Sequence, residues 1–461
     1  LRSILERNLP DVTVVGEAKN GAEAVRLIES RKIDLMLLDI NMPHVTGIEF
    51  LKSLHADGLV MFDHSENRWV WDIGQIRQRN ITDNVVELMR GKIGLLAPKT
   101  RELCQYAACV GNKFDLQTLS TVFEKSAHET ARCLWPAILE GLILPVGNTY
   151  KLAEIENSVL DPASVEYRFL HDQVQNAAYA LLEEQAKKEL HLRIGRLLLN
   201  SFSEEEKQAR IFELVTQFNN GAALLETESE KIAVAQINLT AGKKAKNSAA
   251  YEPAYRYFKA GISLLPADTW QRHYDFTLDL MNEAAESAYL SGETEEMERL
   301  TAIVFSNAAG LLDQVKAYSI KIQGYLSQTR NEEALNTSLE ILGKLGADFP
   351  KAPNKLHIVR SLIGTKLRLR GKSADYLVAQ HDMVDPNSAA IMEILPHAAS
   401  ASYFAQPNLF PLIVFKQVNL SVRYGNHIQS AFAYATYGLV MCGSTLEFDE
   451  GLKYGAISVR L

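Results

Sequence analysis

The chain has 461 residues, enough for about two to four domains, because a single hydrophobic core stops growing near ~250–300 residues. Hydrophobic residues make up 47% and charged residues 23% of the chain, a composition that excludes wholesale disorder. The formal net charge is −8, with 56 acidic against 48 basic residues, so a broad nucleic-acid-binding surface is not expected.

The cysteines and the apolar stretches indicate the compartment. The four cysteines stand at positions 104, 109, 133 and 442, a spacing that favours core packing in a reducing cytosol over a zinc site. No secretory signal is visible, and we interpret the opening on Leu1, inside a predicted helix, as a truncation. The uncharged stretch 430–446 contains tyrosines, glycines and serines, which predicts a buried repeat helix. We therefore expect a cytoplasmic chain without a membrane partner.

The first 54 residues alternate between strand and helix patterns. A short β-branched run, VTVVGEA, precedes the helical spacing of GAEAVRLIES, and the apolar run IDLMLLDI ends near the carboxylate of Asp39. The segment NMPHVTGIEFLKSL then has the pattern of a turn and a helix. Such alternation predicts a parallel α/β sheet, whose ligands lie at the carboxyl ends of its strands. Asp39 occupies such an end.

The string Leu38-Asp39-Ile40-Asn41-Met42-Pro43, followed by Thr46-Gly47, resembles the receiver domain of two-component response regulators. The resemblance implies that Asp39 is the phosphoacceptor for a histidine kinase and one ligand of Mg²⁺, which offsets the repulsion between two anions. The family's acidic pair would precede Leu1, and its later strands do not follow Leu54. We therefore expect residues 1–54 to form a truncated receiver in which Asp39 is inactive, its magnesium site is incomplete and no cofactor is bound.

Residues 55–185 have a different character. Two short strands or a wing are predicted around Asp63 to Trp71. Helices from Ile81 follow, and then a helix-turn-helix-like unit with a strand at its end. This region resembles the winged-helix part of STAND-type signalling ATPases, found in cyanobacterial-type multi-sensor kinases. The resemblance is carried by Ile81–Val86, Ala107–Gly111, Leu134–Ala137 and Glu140–Ile143. The hexamer Glu49–Leu54 fits both resemblances, and a natural fusion and an assembly artefact both remain open there.

A winged helix would suggest DNA binding, but the charges of the candidate recognition segment argue against it. Reading DNA requires cations for phosphates and polar side chains for base edges. Between positions 114 and 148 the sequence offers two cations, Lys125 and Arg132, against four carboxylates, Asp115, Glu124, Glu129 and Glu140. We therefore do not expect a nucleic-acid partner.

The string Phe169-Leu170-His171-Asp172-Gln173-Val174-Gln175 matches a stretch of the same ATPase family. It also resembles the H-D-x-V phosphoacceptor box of a histidine-kinase class, and imidazole can carry a phosphoryl group near neutral pH. The nucleotide-binding motifs of such kinases are not found in the chain. His171 and Asp172 are therefore candidates for phosphotransfer, and helix packing is the favoured interpretation.

Residues 186–461 are nearly all helical by period, with breaks predicted at Pro266, Gly292, Pro350, Pro386, Pro407 and Gly443. Gly242, Ala254, Phe258, Gly261 and Pro266 follow the spacing of tetratricopeptide repeats. The resembled ATPase family has such a helical region, which implies protein–protein sensing or a structural spacer.

The string Gly371-Lys372-Ser373 is not expected to be a phosphate-binding loop. A Walker A loop needs a glycine five positions earlier, where Lys366 stands, and a preceding strand. Lys366, Arg368, Arg370 and Lys372 are expected to form a solvated basic face.

Taken together, these patterns predict a mainly α chain with a partial α/β receiver (1–54), a winged-helix-like domain (55–185) and a tetratricopeptide-like solenoid (186–461). We expect a non-enzymatic phosphorelay module whose partners are a histidine kinase or other signalling proteins, with the solenoid's ligand open. The alternative is a working response regulator, phosphorylated at Asp39, with DNA binding or histidine phosphotransfer as its output.

Overall fold

The computed structural model describes residue 16 and residues 60–63, 68–71, 81–147 and 165–461. Apart from residue 16, the predicted receiver fold over residues 1–54, including Asp39, lies outside these ranges. Within them the chain is mainly α-helical, with a two-stranded and a three-stranded sheet, so the predicted fold class is confirmed.

The first described elements form a β-hairpin. Strand β1 (Val60–Asp63) pairs antiparallel with β2 (Arg68–Trp71), with Val60 opposite Trp71 and Asp63 opposite Arg68. Both strands contain β-branched or aromatic residues, which suit a pleated sheet. The prediction of two short strands around Asp63 to Trp71 is confirmed.

The chain divides into two compact units, at Leu225 and Glu226. The described helices of the first unit are α1 (Ile81–Leu95), α2 (Pro98–Val110), α3 (Leu116–Phe123), α4 (Ala127–Leu139), α5 (Asp172–Ala180), α6 (Glu184–Ser201), α7 (Glu204–Ala209) and α8 (Ile211–Gly221). Strands β3 (Lys113–Asp115), β4 (Ile143–Val146) and β5 (Glu166–Phe169) form an antiparallel sheet in the order β3-β5-β4.

Local sequence explains the start of two of these helices. Asp115 caps α3, since its Oδ1 accepts a hydrogen bond from the backbone N–H of Thr118 at 2.6 Å, and Ser126 caps α4 in the same way. The helices and the sheet enclose one core, in which Leu103, Leu119 and Leu134 are fully buried.

Helices α6 to α8 belong to the first compact unit. Nη2 of Arg210, just before α8, lies 3.0 Å from Oδ2 of Asp115, and Nε2 of Gln217 donates to the carbonyl oxygen of Cys109 at 2.9 Å. Both contacts join α8 to the sheet and helices described above. The first compact unit therefore includes α6 to α8 and ends at Leu225, because side chains from this segment complete its interior. The domain division at 185/186 stays a prediction.

The second unit consists of helices α9 (Glu228–Asn247), α10 (Tyr251–Ser263), α11 (Thr269–Arg272), α12 (Tyr274–Leu290), α13 (Thr294–Asn307), α14 (Leu311–Ser327), α15 (Asn331–Lys344), α16 (Lys355–Leu369), α17 (Ala374–Val378), α18 (Pro386–Ala405), α19 (Phe410–Tyr424), α20 (Ser430–Val440) and α21 (Phe448–Arg460). A π-helical turn, Met441–Thr445, joins α20 to α21. Helices α9, α12, α14 and α18 contact one another in that order, and each packs against the long helix that follows it: α10, α13, α15 and α19 respectively.

Small residues allow these helices to approach closely. A Cβ atom at Gly242 of α9 would stand 2.3 Å from the Phe258 ring of α10, which is itself fully buried. Ala254 and Gly261 are also buried on α10. These small residues therefore leave room for the Phe258 ring between α9 and α10.

Five of the six predicted breaks lie at or between helix ends, whereas the sixth, Gly443, lies inside the π-helical turn Met441–Thr445. Pro266 and Pro350 lie in loops, Gly292 has a positive φ of 85° between α12 and α13, and Pro386 opens α18. Residues of the uncharged stretch 430–446 form α20 and the π-helical turn, with Tyr434 and Tyr437 fully buried, as the sequence predicted.

Candidate functional site

Of the predicted phosphotransfer residues, the structure describes two. Asp39 lies outside the described residues. His171 follows β5 as the residue before α5, with extended backbone (φ −148°, ψ 156°), and its half-buried side chain makes no capping hydrogen bond. Asp172 is exposed, and its Oδ1 accepts a hydrogen bond from Nδ2 of Asn112, just before β3, at 2.5 Å.

The rest of that string packs α5 into the first unit. Nε2 of Gln175 donates to the carbonyl oxygen of Ala108 on α2 at 3.0 Å, while Val174, Ala177 and Ala178 are buried. The conformation of the string is thus held by contacts on both sides of the His-Asp pair. Phosphotransfer at this pair stays a prediction.

A buried hydrogen-bonded chain runs from α5 through α6 to α8. Nε2 of Gln217 donates to the carbonyl of Cys109, so Oε1 of Gln217 is free to accept from Nδ1 of His191 at 2.7 Å. Nε2 of His191 then accepts from the hydroxyl of Tyr179 at 3.1 Å. Burial lowers the pKa of His191, although the Gln217 hydrogen bond opposes this. The contacts therefore select the neutral Nδ1–H tautomer, in a structural role.

A second polar group surrounds Arg210. Its Nη2 lies 3.0 Å from Oδ2 of Asp115 and 2.7 Å from both Oγ1 of Thr118 and Oε2 of Glu213, and its guanidinium stacks 4.7 Å from the ring centre of Phe202. Burial raises the pKa of Glu213, against the opposing charge of Arg210. Because Asp115 also caps α3, this arginine fixes the start of that helix.

The second unit carries a row of ion pairs between α9, α12 and α14. Nζ of Lys246 lies 2.5 Å from Oε2 of Glu283 and 3.1 Å from Oε2 of Glu286, which also lies 3.1 Å from Nζ of Lys316. Burial alone would lower the pKa of Lys246, but its hydrogen bonds to the two carboxylates raise it. Nζ of Lys243 also lies 2.7 Å from Oδ2 of Asp279. We call this surface the charged face, and its residues are Lys243, Lys246, Asp279, Glu283, Glu286 and Lys316.

A cleft of about 440 Å³ lies beside the charged face, between α14 and α18. Its walls combine apolar and charged side chains, from Leu312, Val315, Lys316, Pro386, Ala389, Ala390, Glu393 and His427. Burial lowers the pKa of His427, with Glu393 acting in the opposite direction. The cleft therefore offers one cation, one carboxylate and a mainly neutral imidazole, a set suited to a peptide with both charged and apolar groups.

The Gly371-Lys372-Ser373 string follows the end of α16, where Gly371 has a φ of 77°. Nζ of Lys372 lies 4.3 Å from the ring centre of Tyr376, and Ser373 caps α17. Of the four basic residues expected to be solvated, Lys366 is ion-paired with Oε2 of Glu447 at 2.5 Å. Part of the predicted basic face is thus engaged within the unit.

The candidate recognition segment retains its acidic character in the structure. Nζ of Lys125 lies 3.9 Å from Oε1 of Glu129, and Glu124 is ion-paired with Arg193 of α6. Arg132 is exposed on α4, as is Leu139 at the end of that helix. Absence of DNA binding stays a prediction.

Metal-binding clusters and membrane spans are both lacking in the part of the chain that the structure describes. No three or more His, Cys, Asp or Glu side chains there are arranged to hold a metal ion. Among helices α1 to α21, none combines the length and apolar character needed to span a bilayer. Cys104 and Cys109 are buried, in keeping with the predicted core-packing role.

Sequence reasoning missed the ion pairs and the buried histidine. Arg210 and Asp115 are far apart in the chain, and so are His191 and Cys109, so no local spacing points to their contacts. A local signal existed for Asp115, because Asp directly before a helical apolar run is a preferred N-cap residue.

Comparison with known proteins gives a family match for the N-terminal part of the chain. Residues 1–62 match the family described as response regulator receiver domain. The chain is 24% identical over 479 residues to hybrid signal transduction histidine kinase G of Dictyostelium discoideum, covering 90% of this chain and 14% of that protein. It is 52% identical over 50 residues to the nitrate/nitrite response regulator protein NarL of Escherichia coli (strain K12), covering 11% of this chain and 23% of NarL.

Among solved structures, the chain is similar to a Signal Transduction ATPase with Numerous Domains (STAND) protein with a tetratricopeptide repeat sensor from Pyrococcus horikoshii. The TM-score is 0.33 and the identity 12%, with 81% of this chain and 52% of that chain covered. The chain thus spans less than a quarter of the length of the two curated relatives named above. The receiver match and these two relatives support a role in two-component signalling.

Proposed function

We propose that this chain is a regulatory and protein-interaction module of a phosphorelay, without self-contained catalysis. One observation carries the proposal: the same chain has a receiver match over residues 1–62 and a likeness to a hybrid histidine kinase. That likeness covers 90% of this chain. Receiver domains exchange phosphoryl groups with other proteins. The helical units that follow the receiver in this chain would bind signalling partners.

At a finer level, residues 55–185 act as a winged-helix-like domain related to STAND-type ATPases. The order of elements supports this assignment: helix α2, strand β3, helices α3 and α4, then strands β4 and β5, with β5 in the middle of the sheet. Residues 186–461 are the proposed tetratricopeptide-like region, supported from α9 onward by helices that pack in pairs.

The partners are proteins, with a histidine kinase as one of them. The charged face and its adjacent cleft support this, because they offer paired charges and apolar walls rather than a positive groove. Nucleic acid and membrane are not among the proposed partners. A cytoplasmic location is supported by the four cysteines, none of which forms a disulfide.

Two assays on the purified chain test the absence of catalysis. With Mg²⁺ and ATP we expect neither hydrolysis nor self-phosphorylation, and Lys372→Ala serves as the matched control for the Gly-Lys-Ser string. Hydrolysis that disappears in Lys372→Ala would overturn the proposal.

A phosphate donor tests Asp39. With acetyl phosphate and Mg²⁺ we expect no acid-sensitive phosphate on the chain, with Asp39→Asn as the control. Incorporation that is lost in Asp39→Asn would favour the second candidate, a working response regulator, to which the 52% identity with NarL over 50 residues also points.

A further inference from the structure

One helix of the second unit exposes an unpartnered apolar row. On α16 the side chains of Leu356, Val359, Ile363 and Leu367 are 74%, 51%, 55% and 62% exposed. Their spacing of three, four and four residues places them on one face, over a length of about 16 Å. Single exposed apolar residues are ordinary on protein surfaces, but a continuous row on one helix marks an interaction site.

The opposite face of α16 is already used. Thr365 and Leu369 are buried, and Oγ1 of Thr365 accepts a hydrogen bond from Nδ2 of Asn419 on α19 at 3.0 Å. The N-terminus is fixed too, because Oδ1 of Asn354 accepts from the backbone N–H groups of Leu356 and His357 at 3.1 Å each. The helix is therefore held in place with its second apolar face toward solvent.

The charges around this row have one sign. Positions 349–374 contain seven cations and no Asp or Glu, in a chain whose net charge is −8; the cations are Lys351, Lys355, Arg360, Lys366, Arg368, Arg370 and Lys372. Among the described residues, only Lys366 of these seven has an acidic ion-pair partner, Glu447. At 3.6 residues per turn, Lys355 and Arg360 fall on the two sides of the apolar row.

We propose that the outer face of α16 binds an acidic amphipathic helix of a partner protein. The row is one residue wide per turn, which matches the seam that two packed helices share, and the flanking cations complement acidic residues beside the partner's seam. The proposal rests on the interaction function proposed above and names the surface and the chemistry of the partner.

The neighbouring turn favours a helix over a lipid surface. The ion pair between Lys366 and Glu447 brings residues 446–448 next to α16, where Leu446 and Phe448 add exposed apolar surface. The same turn carries Glu447 and is followed by the exposed Asp449. A flat membrane surface with anionic headgroups would be repelled by these two carboxylates. A single acidic helix that lies along the apolar row of α16 would instead contact the flanking cations.

The experiment uses the full chain and two labelled helical peptides in fluorescence anisotropy. Both peptides carry leucine at heptad positions a and d; one has glutamate and the other lysine at positions e and g. We expect the glutamate peptide to bind at least about tenfold more tightly than the lysine peptide. Equal binding of both, or no binding of the glutamate peptide, would overturn the proposal.

Variants locate the site. The double variant Val359→Ser/Ile363→Ser should weaken binding of the glutamate peptide about tenfold or more, while Val459→Ser, at another exposed apolar position, should leave it unchanged. Circular dichroism confirms that each variant is folded. Unchanged affinity in the folded double variant would place the site elsewhere and refute the assignment.

Vesicles address the lipid alternative. Co-sedimentation of the chain with vesicles of phosphatidylcholine and phosphatidylserine, lost in Val359→Ser/Ile363→Ser, would overturn the choice of occupant; no co-sedimentation is expected. None of these outcomes depends on phosphorylation or ATP hydrolysis, so failure here is distinguishable from failure of the proposed function.

Discussion

Individual residues in the interior of the first unit are held by hydrogen bonds that cross its helices. His191 and Gln217 are 3% and 1% exposed, and each has its polar atoms satisfied by a neighbour. Removing one member leaves another buried and unpaired, which costs about 1–3 kcal/mol. The chain from Tyr179 to Cys109 is therefore sensitive to single substitutions.

The first prediction concerns pH. Burial lowers the pKa of His191 in the folded state, so folding favours the neutral imidazole. The contribution of neutral His191 to the free energy of unfolding is fully present above about pH 6.5, the ordinary pKa of histidine. This contribution is lost as the pH falls from there toward the lowered pKa of the folded state. Urea unfolding of the wild type between pH 7.5 and 5.5 should show this loss, with a smaller loss in His191→Gln. Parallel curves for the two proteins would contradict it.

The second prediction concerns the thiols. Burial raises the pKa of Cys104 and of Cys109 to about 12, although Lys187 slightly opposes this at Cys109. Because the thiolate is the reactive form, iodoacetamide at pH 8 should leave both unmodified in the native chain and modify them in urea. Peptide mass spectrometry measures this, with the half-buried Cys133 and Cys442 as internal comparisons. Rapid native alkylation of Cys104 would show that α2 is not packed as described.

At the scale of helices, the second unit depends on where two backbones can approach. Gly242 admits the Phe258 ring, whereas Gly455 on α21 has open space where the methyl group of an alanine would stand. The two glycines stand in helices of the same unit, and alanine is the better helix former at both. Comparing an alanine substitution at Gly242 with one at Gly455 therefore measures the free-energy cost of the steric clash between α9 and α10.

We expect Gly242→Ala to lower the free energy of unfolding by about 1–3 kcal/mol, because the new methyl group displaces the Phe258 ring. Gly455→Ala should leave stability unchanged or raise it by up to about 1 kcal/mol. Denaturant unfolding followed by circular dichroism measures both. Equal effects of the two substitutions would show that α9 and α10 have room to separate.

For the whole molecule, the two compact units each have an interior of their own. One core lies within residues 89–178, and two others lie within residues 245–320 and 315–457. The junction at Leu225 and Glu226 follows the short 3₁₀ turn Ala222–Leu224. A unit that buries its own apolar side chains meets the main requirement for independent folding.

Residues 226–461 produced alone should therefore be helical and unfold in a cooperative thermal transition. Circular dichroism with heating measures this, and a fragment starting at residue 186 serves as the comparison, since α6 to α8 would then lack the groups that α2 and α3 supply. A fragment 226–461 that melts without cooperativity would show that the unit needs residues before it.

Much of the fold was predictable because it depends on neighbours along the chain. The strands near Asp63 and Trp71, the breaks at Pro266 and Gly292, and the small residue at Gly242 follow from backbone geometry and side-chain size. The extent of the first unit was not predictable, since it depends on Arg210 reaching Asp115 and Gln217 reaching Cys109 across the fold.

The same division applies to function. The receiver resemblance could be identified from sequence, because the residues that carry it, Leu38 to Pro43 with Thr46 and Gly47, stand close together in the chain. The interaction surfaces could not, since α16 is apolar on two faces and its periodicity treats both alike. Only the position of α19 against Thr365 shows which face is covered and leaves Val359 and Ile363 in solvent. Whether a helix face is buried depends on contacts with segments that are distant in the chain, and these contacts exist only in the tertiary structure.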